Sequence, residues 1–196
     1  MDGFKIRTDK KRELIIESAL ELFKVLSPRK VSIRDIASKA KVSVVTIYNY
    51  FGSKEGLMTE IVRFVLFQQL QLAQEITKSK VKMDEKIAKL IFTKTELLTQ
   101  FHPEFIELMM NDPAMKKMIE EEFISKTYEL IIEFINDGKR EGIFSKEIPN
   151  EMIMKVIELY RQDMASKSSI LFNGKNVNDH ETILRILLYG ISGYKE

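Results

Sequence analysis

A chain of 196 residues, 44% of them hydrophobic, can bury a substantial core, which excludes wholesale disorder. It has no cysteine, which excludes a disulfide framework and a cysteine-ligated metal site and fits a reducing, cytoplasmic compartment. Residues 1–56 carry 12 Lys/Arg against 7 Asp/Glu, net +5, while the other 140 carry 19 against 22, net −3, so a polyanion would meet the N-terminal quarter and not the whole surface.

Nearly every segment repeats its apolar residues with the 3.6-residue period, and no alternating run lies between hairpin turn signals, so the expected fold class is all-α. Lys5, Arg7, Lys10, Lys11 and Arg12 form a basic N-terminal arm. The first helix is predicted from Lys10 to Leu26, with Leu14, Ile15, Ala19, Leu22 and Phe23 on one face. Ser27-Pro28 ends it, because a residue before proline is pushed out of the helical region. Three serine-capped starts follow in close succession: Ser32, with Asp35 three residues on, then Ser43 and Ser53. They predict helices of about 8, 8 and 24 residues joined by tight turns. Pro103, Pro113 and Pro149 each fit a first helical position, where a missing amide costs nothing, and predict helices near 103–111, 113–138 and 149–168. Gly138 and Gly142 bracket a helix end, and Asn173-Gly174 with Asn176 and Asn178 reads as a loop. A last helix begins near Asp179, where Asn178 and Glu181 imitate a capping box. Its Ile183, Leu184, Ile186, Leu187, Leu188 and Ile191 cover more than one stripe, so it is expected to be buried on two sides, by its own domain and by a partner.

Within residues 32–51, Ile36, Ala37, Ala40, Val42, Ile47 and Tyr50 let two short helices pack across a tight turn. That leaves Val44, Val45, Thr46, Tyr48 and Asn49 pointing outward. Such a face fits a major groove, where methyl groups meet thymine methyls and polar groups meet phosphates. The run from Ser32 to Leu57 resembles the tetracycline-repressor (TetR) family through Ile36-Ala37, Val42-Ser43, Thr46-Ile47-Tyr48, Tyr50-Phe51 and Ser53-Lys54-Glu55-Gly56-Leu57, and Ala19, Leu22 and Phe23 match its first helix.

The resemblance implies a helix-turn-helix DNA-binding domain over residues 1–56. A long fourth helix joins it to a helical effector-binding and dimerisation domain over 57–196. It further implies that Val44, Val45, Thr46 and Tyr48 approach base edges, while Ser32, Ser43, Asn49, Tyr50 and Lys54 contact phosphate. Ser32, Ser43 and Lys54 lie at helix N-termini, where free amides and the dipole favour an anion. Lys41 stands where the family usually has glycine, and Ser27-Pro28 replaces its usual glycine-aromatic pair. A left-handed backbone at Lys41 would cost roughly 1–2 kcal/mol.

The middle helices carry Phe92, Phe101, Phe105, Met109, Met110, Met115, Met118, Phe123, Tyr128 and Phe134. Methionine-rich surroundings repack around different shapes, and the resemblance places an inducer cavity among these helices. Met152, Ile153, Val156, Ile157 and Tyr160, with Leu184, Leu187, Leu188 and Ile191, offer more apolar surface than one copy can cover, and the resemblance implies a four-helix interface. The expected partners are double-stranded operator DNA, near-palindromic with half-sites about one helical turn apart, a small apolar effector that releases it, and a second copy of the chain. A helical protein-interaction adaptor that retains the helix-turn-helix is the alternative. No enzyme, metal or cofactor is expected. His102 and His180 lie far apart, Gly52-Ser53-Lys54 lacks the spacing of a phosphate loop, and no apolar run reaches the roughly 18 residues of a membrane span.

Overall fold

The computed structural model describes the backbone of residues 2–164, 166 and 177–191, and the side chains of 9–164, 166, 179 and 181–191. Among the described residues the fold is all-α with no strand. The helices are α1 (Asp2–Phe23), α2 (Ile33–Lys39), α3 (Val44–Phe51), α4 (Lys54–Lys78), α5 (Met83–Gln100), α6 (Pro103–Asn111), α7 (Pro113–Glu122), α8 (Ile124–Arg140), α9 (Asn150–Met164) and α10 (Val177–Gly190).

Local chemistry sets most of these boundaries. The Asp35 amide donates to Ser32 Oγ at 3.2 Å while the Ser32 amide donates to Asp35 Oδ2 at 2.8 Å, a reciprocal capping box at the start of α2. Ser43 Oγ accepts from the Thr46 amide at 3.0 Å and Ser53 Oγ from the Gly56 amide at 2.9 Å, fixing the starts of α3 and α4. Pro103 and Pro113 open α6 and α7, and Asp112 caps the latter through the amides of Ala114 and Met115 at 2.9 and 3.1 Å.

Three boundaries differ from the sequence reading. Helix α1 begins earlier than Lys10 and ends at Phe23, three residues before Leu26. The corner that follows belongs to Ser27, which is 3% exposed and whose Oγ accepts from the Arg29 amide at 3.2 Å. The helix expected over 113–138 is two helices, broken at Phe123 (φ −120°, ψ −33°). Neither glycine nor proline marks that break. It turns the Phe123 ring into the core and re-aims the chain, so that Met115 and Met118 join one apolar core while Phe134 joins a different one. Helix α9 ends at Met164, before the expected residue 168. The loop called at Asn173-Gly174 and Asn176 lies outside the described residues, as do the side chains of Lys5, Arg7, Asn178 and His180.

Two apolar cores result. The first runs from Ile15, Ala19 and Phe23 through Ile36 and Ile47 to Leu57 and Ile61 of α4, and on to Phe105, Met115 and Phe123. The second holds Met83, Ile87 and Ile91 of α5 against Phe134 and Phe144. Burying such a side chain contributes about 1.5–3 kcal/mol, and α4, which packs on α1 and α3 at one end and on α5, α7 and α8 beyond, is the beam that joins the N-terminal helices to the rest.

The second core depends on a glycine. A Cβ at Gly138 of α8 would lie 2.2 Å from the Phe144 ring, which is 2% exposed and has nowhere to move. Gly138→Ala is therefore expected to destabilise the chain by about 1–3 kcal/mol despite the better helix propensity of alanine. Thermal unfolding checks this. An unchanged midpoint would mean that Phe144 does not pack there.

Candidate nucleic-acid interface

Helix α3 divides cleanly by side. Ile47 and Phe51 point into the core at 0% and 8% exposure, whereas Val45 is 66% and Tyr48 47% exposed, with Asn49 beside them. Thr46 and Val44 are half-buried. Thr46 Oγ1 lies 2.8 Å from Ser43 Oγ, so the two hydroxyls satisfy each other at the helix start. Tyr50 is half-buried against the first core, with its ring 6.2 Å from that of Phe51. Val44 also packs partly on that core, leaving Val45, Tyr48 and Asn49 as the outermost residues of the predicted reading face.

The phosphate candidates are placed differently. Ser32 is exposed, but its hydroxyl donates to Asp35 Oδ2 at 2.7 Å, and this bond holds the Asp35 carboxyl below its usual range. Lys54 was expected at phosphate. In the structure its ammonium donates to the carbonyls of Val31 at 2.7 Å and Pro28 at 3.4 Å, tying the start of α4 to the loop between α1 and α2. Lysine serves here because its four-carbon stem reaches carbonyls that no helix ladder satisfies. Of the basic arm, Lys10 and Lys11 are exposed, but Arg12 pairs with Glu60 of α4 and lies 5.7 Å from the centre of the Phe51 ring.

Lys41, in the turn between α2 and α3, has φ 53° and is the one non-glycine residue with positive φ among those described. The left-handed turn the motif requires is thus made without glycine. Lys41→Gly is expected to raise stability by up to about 1 kcal/mol, relief of backbone strain being partly offset by the greater freedom of unfolded glycine. Denaturant titration measures it, and destabilisation would show that the lysine side chain contributes more than the strain costs.

Residues 15–61 match the model of the bacterial regulatory proteins, tetR family. The HTH-type transcriptional regulator YvdT of Bacillus subtilis (strain 168) is 30% identical over 150 residues, which cover 71% of this chain and 75% of that protein. The chain belongs to the TetR family. It is a DNA-binding transcriptional regulator. YhgD, another such regulator of Bacillus subtilis (strain 168), is 25% identical over 191 residues, covering 93% of this chain and 96% of its own. The crystal structure of FadR from Bacillus subtilis in complex with stearoyl-CoA shares the fold, with a TM-score of 0.62 at 19% identity, over 91% of this chain and 98% of that one.

Two sets of contacts join the reading unit of this regulator to the helices behind it. At the start of α6 the His102 amide donates to the Phe23 carbonyl at 2.8 Å, Ser27 Oγ donates to Glu104 Oε2 at 2.6 Å, and the Phe23 and Phe105 rings stack with centroids 5.3 Å apart. The bond from Ser27, helped by Arg29, holds the Glu104 carboxyl below its usual range. His102 itself caps α6, its Nδ1 accepting from the Glu104 amide at 3.3 Å. Along α4, Glu60 receives both Arg12 and Arg63, and Arg63 forms a fork with Glu122 of α7, both bonds 2.8 Å. This ion chain lines a cleft of about 480 Å³ between α1, α4 and the α7–α8 corner.

The candidate effector residues separate in the structure. Phe101, Phe105, Met109, Met115, Met118 and Phe123 fill the first core, with Met110 half-buried against it, and Phe134 belongs to the second. Tyr128 donates its hydroxyl to Glu158, which Arg161 also grips at 2.7 and 2.8 Å, so Tyr128 ties α8 to α9. Phe92 does not join the others: it is 65% exposed on the outer face of α5.

The dimerisation candidates separate as well. Ile153 is buried in its own chain, and Leu184, Leu188 and Ile191 pack on the second core. Ile157, Tyr160 and Leu187 are half-buried. Met152, Val156 and Leu159 form an outward stripe on α9, and Ile186 with Tyr189 form one on α10. Leu159 and Tyr189 were not among the sequence-derived candidates, although their i, i+3 spacing from Val156 and from Ile186 places them on the same outward stripes.

No helix among the described residues is long and apolar enough to cross a membrane, and these residues contain no cluster of three or more His, Asp or Glu arranged to hold a metal.

Proposed function

We propose that the chain acts as a homodimeric repressor that reads a near-palindromic operator through α3 and is released by a small, largely apolar effector bound behind the reading unit. The observation that carries the reading is the outward face of α3. Val45, Tyr48 and Asn49 stand exposed on a helix whose other side is locked into the core, a costly display for mere solvent contact. Residues 1–56 would be the reading unit and 57–196 the effector and dimer region. FadR, a protein of the same fold, carries stearoyl-CoA in its crystal structure, which supports an effector with a long apolar part. The contacts of α4 and of the α6 start with α1 give an effector two routes to bias the reading unit, and by linkage operator DNA must weaken effector binding by the same factor.

The test is to select bound sites from random duplex DNA and then add apolar metabolites to the complex. A selected palindrome that a metabolite releases supports the reading; a duplex affinity indifferent to sequence overturns it. For the dimer, Leu159→Glu combined with Ile186→Glu is expected to give folded monomers in sedimentation and to weaken operator binding at least tenfold, because both charges would be buried unpaired. A double variant that remains dimeric would move the interface elsewhere.

A further inference from the structure

Lys41 holds a backbone conformation that suits another residue. Its φ of 53° lies in the left-handed region, where glycine is at ease and a Cβ crowds the backbone. Its amide donates to the Ser38 carbonyl at 3.2 Å, closing the end of α2, so the turn takes this shape whatever side chain stands there. The side chain is exposed, and its ammonium has no hydrogen-bond or ion-pair partner among the described residues. Strain that nothing inside the protein repays marks a residue kept for a contact outside it.

A second cation is free in the same way. Of the arginines whose side chains are described, Arg12, Arg29, Arg63, Arg140, Arg161 and Arg185 each pair with a carboxylate, and Arg34 does not. Arg34 is exposed on α2, whose Ile33, Ile36 and Ala37 are buried. Lys39 marks the flank of α2 turned to α1, because it pairs with Glu21 at 2.7 Å. Arg34 lies roughly 140° round the helix from Lys39, so it leaves α2 on the other flank, which borders α3.

The two positions frame the outward face of α3. Val45, Tyr48 and Asn49 run along that helix, Lys41 lies in the turn that enters it, and Arg34 lies beside it. A helix seated in a major groove about 12 Å wide is flanked by phosphate backbone, so cations beside such a helix meet phosphates and not base edges. Between residues 32 and 54 the two other cations are spent within the protein, Lys39 on Glu21 and Lys54 on the carbonyls of Val31 and Pro28.

We propose that Lys41 and Arg34 bind backbone phosphates of duplex DNA beside α3, and that they seat the reading face in the groove without reading sequence. This rests on α3 being the reading helix and adds the groups that hold it against DNA.

Fluorescence anisotropy on the full-length chain tests it, with the duplex selected from random sequence and with random duplex of the same length, between about 50 and 200 mM salt. Lys41→Gln and Arg34→Gln are each expected to weaken both duplexes by a similar factor, roughly 3- to 10-fold at about 0.1 M salt, and to lower the salt slope by about one unit. Combined, they should lower it by about two. Lys41→Arg should keep the wild-type slope. Lys80→Gln controls for overall charge. Lys80 is exposed past the far end of the 25-residue α4, about 37 Å from its start, and salt screens its charge beyond roughly 10 Å. Lys41→Gly should unfold at a higher temperature than wild type and yet lose the same DNA affinity as Lys41→Gln, a split that a purely structural lysine would not show. Wild-type slopes in both glutamine variants, or a loss confined to the selected duplex, overturns the proposal. Tyr48→Ala separates it from the reading beneath it. If Tyr48→Ala loses the selected duplex while the glutamine variants keep the wild-type slope, α3 reads DNA and the phosphate assignment fails. If Tyr48→Ala binds as wild type while the glutamine variants lose slope, the phosphate contacts stand and α3 is not the reading helix.

Discussion

Gly56→Ala is expected to lower the stability of the chain by about 2–4 kcal/mol and to remove operator binding at temperatures where the wild type is still folded. A Cβ at Gly56 would lie 2.2 Å from the Phe51 carbonyl oxygen, and this neighbour is backbone, which cannot rotate away. Relief requires the first turn of α4 to move off the last turn of α3. That junction is where Ser53 caps α4 and where Phe51 and Leu57 enter the first core, so the displacement opens packing on both helices. Alanine's better helix propensity returns only about 1 kcal/mol. Gly52→Ala is the control. Its φ of 73° strains alanine, but the added methyl meets nothing within 4 Å, so the expected cost is the backbone term alone, roughly 1–2 kcal/mol. Denaturant unfolding of both variants should place Gly56→Ala clearly below Gly52→Ala. The reverse order would mean that the α3–α4 junction is free to adjust.

The two glycines differ in how far the sequence reveals them. Gly52 ends α3 and reads as a helix stop, but the need for Gly56 comes from a carbonyl five residues back, which only the angle between two helices brings near. The same distinction runs through the fold. Starts written in a side chain, such as Ser32, Ser43, Ser53, Pro103 and Pro113, were legible because the capping partner is three residues away at most. The start of α5 carries no such mark: Lys82 occupies the cap position without a side-chain bond. The break at Phe123 was invisible because it answers to the demands of two cores, and a local window contains neither. At the candidate interface, the outward Val45, Tyr48 and Asn49 followed from helical period alone. Lys54 did not, since the carbonyls it holds lie 23 and 26 residues earlier and are adjacent only once α1 and α4 pack. That α10 carries apolar residues on more than one side was readable from its sequence. Which stripe faces inward was decided by the packing of α5.

The largest expected effect on recognition is that of Tyr48→Ala. Tyr48 is the most exposed aromatic among the described side chains of residues 1–56, on a helix fixed at its start by Ser43 and at its end by Gly52. Removing the ring should weaken binding to the selected operator roughly 10- to 100-fold, the range of a good base contact, and should leave stability within about 0.5 kcal/mol. Affinity for random duplex and the slope of affinity against salt should change little, because the side chain carries no charge. Lys54→Met is expected to give the opposite pattern. Two loop carbonyls lose their donor, so the chain should lose about 1–2 kcal/mol of stability, and DNA binding should fall by a similar factor on every sequence because the loop behind α2 is no longer held. Its salt slope should equal that of the wild type, since the ammonium is spent on carbonyls and releases no counterion from DNA. Titrations of both variants at several salt concentrations, on operator and on random duplex, separate these roles. A Lys54→Met slope shallower by about one unit would show that the ammonium leaves Val31 and Pro28 for a phosphate when DNA is bound.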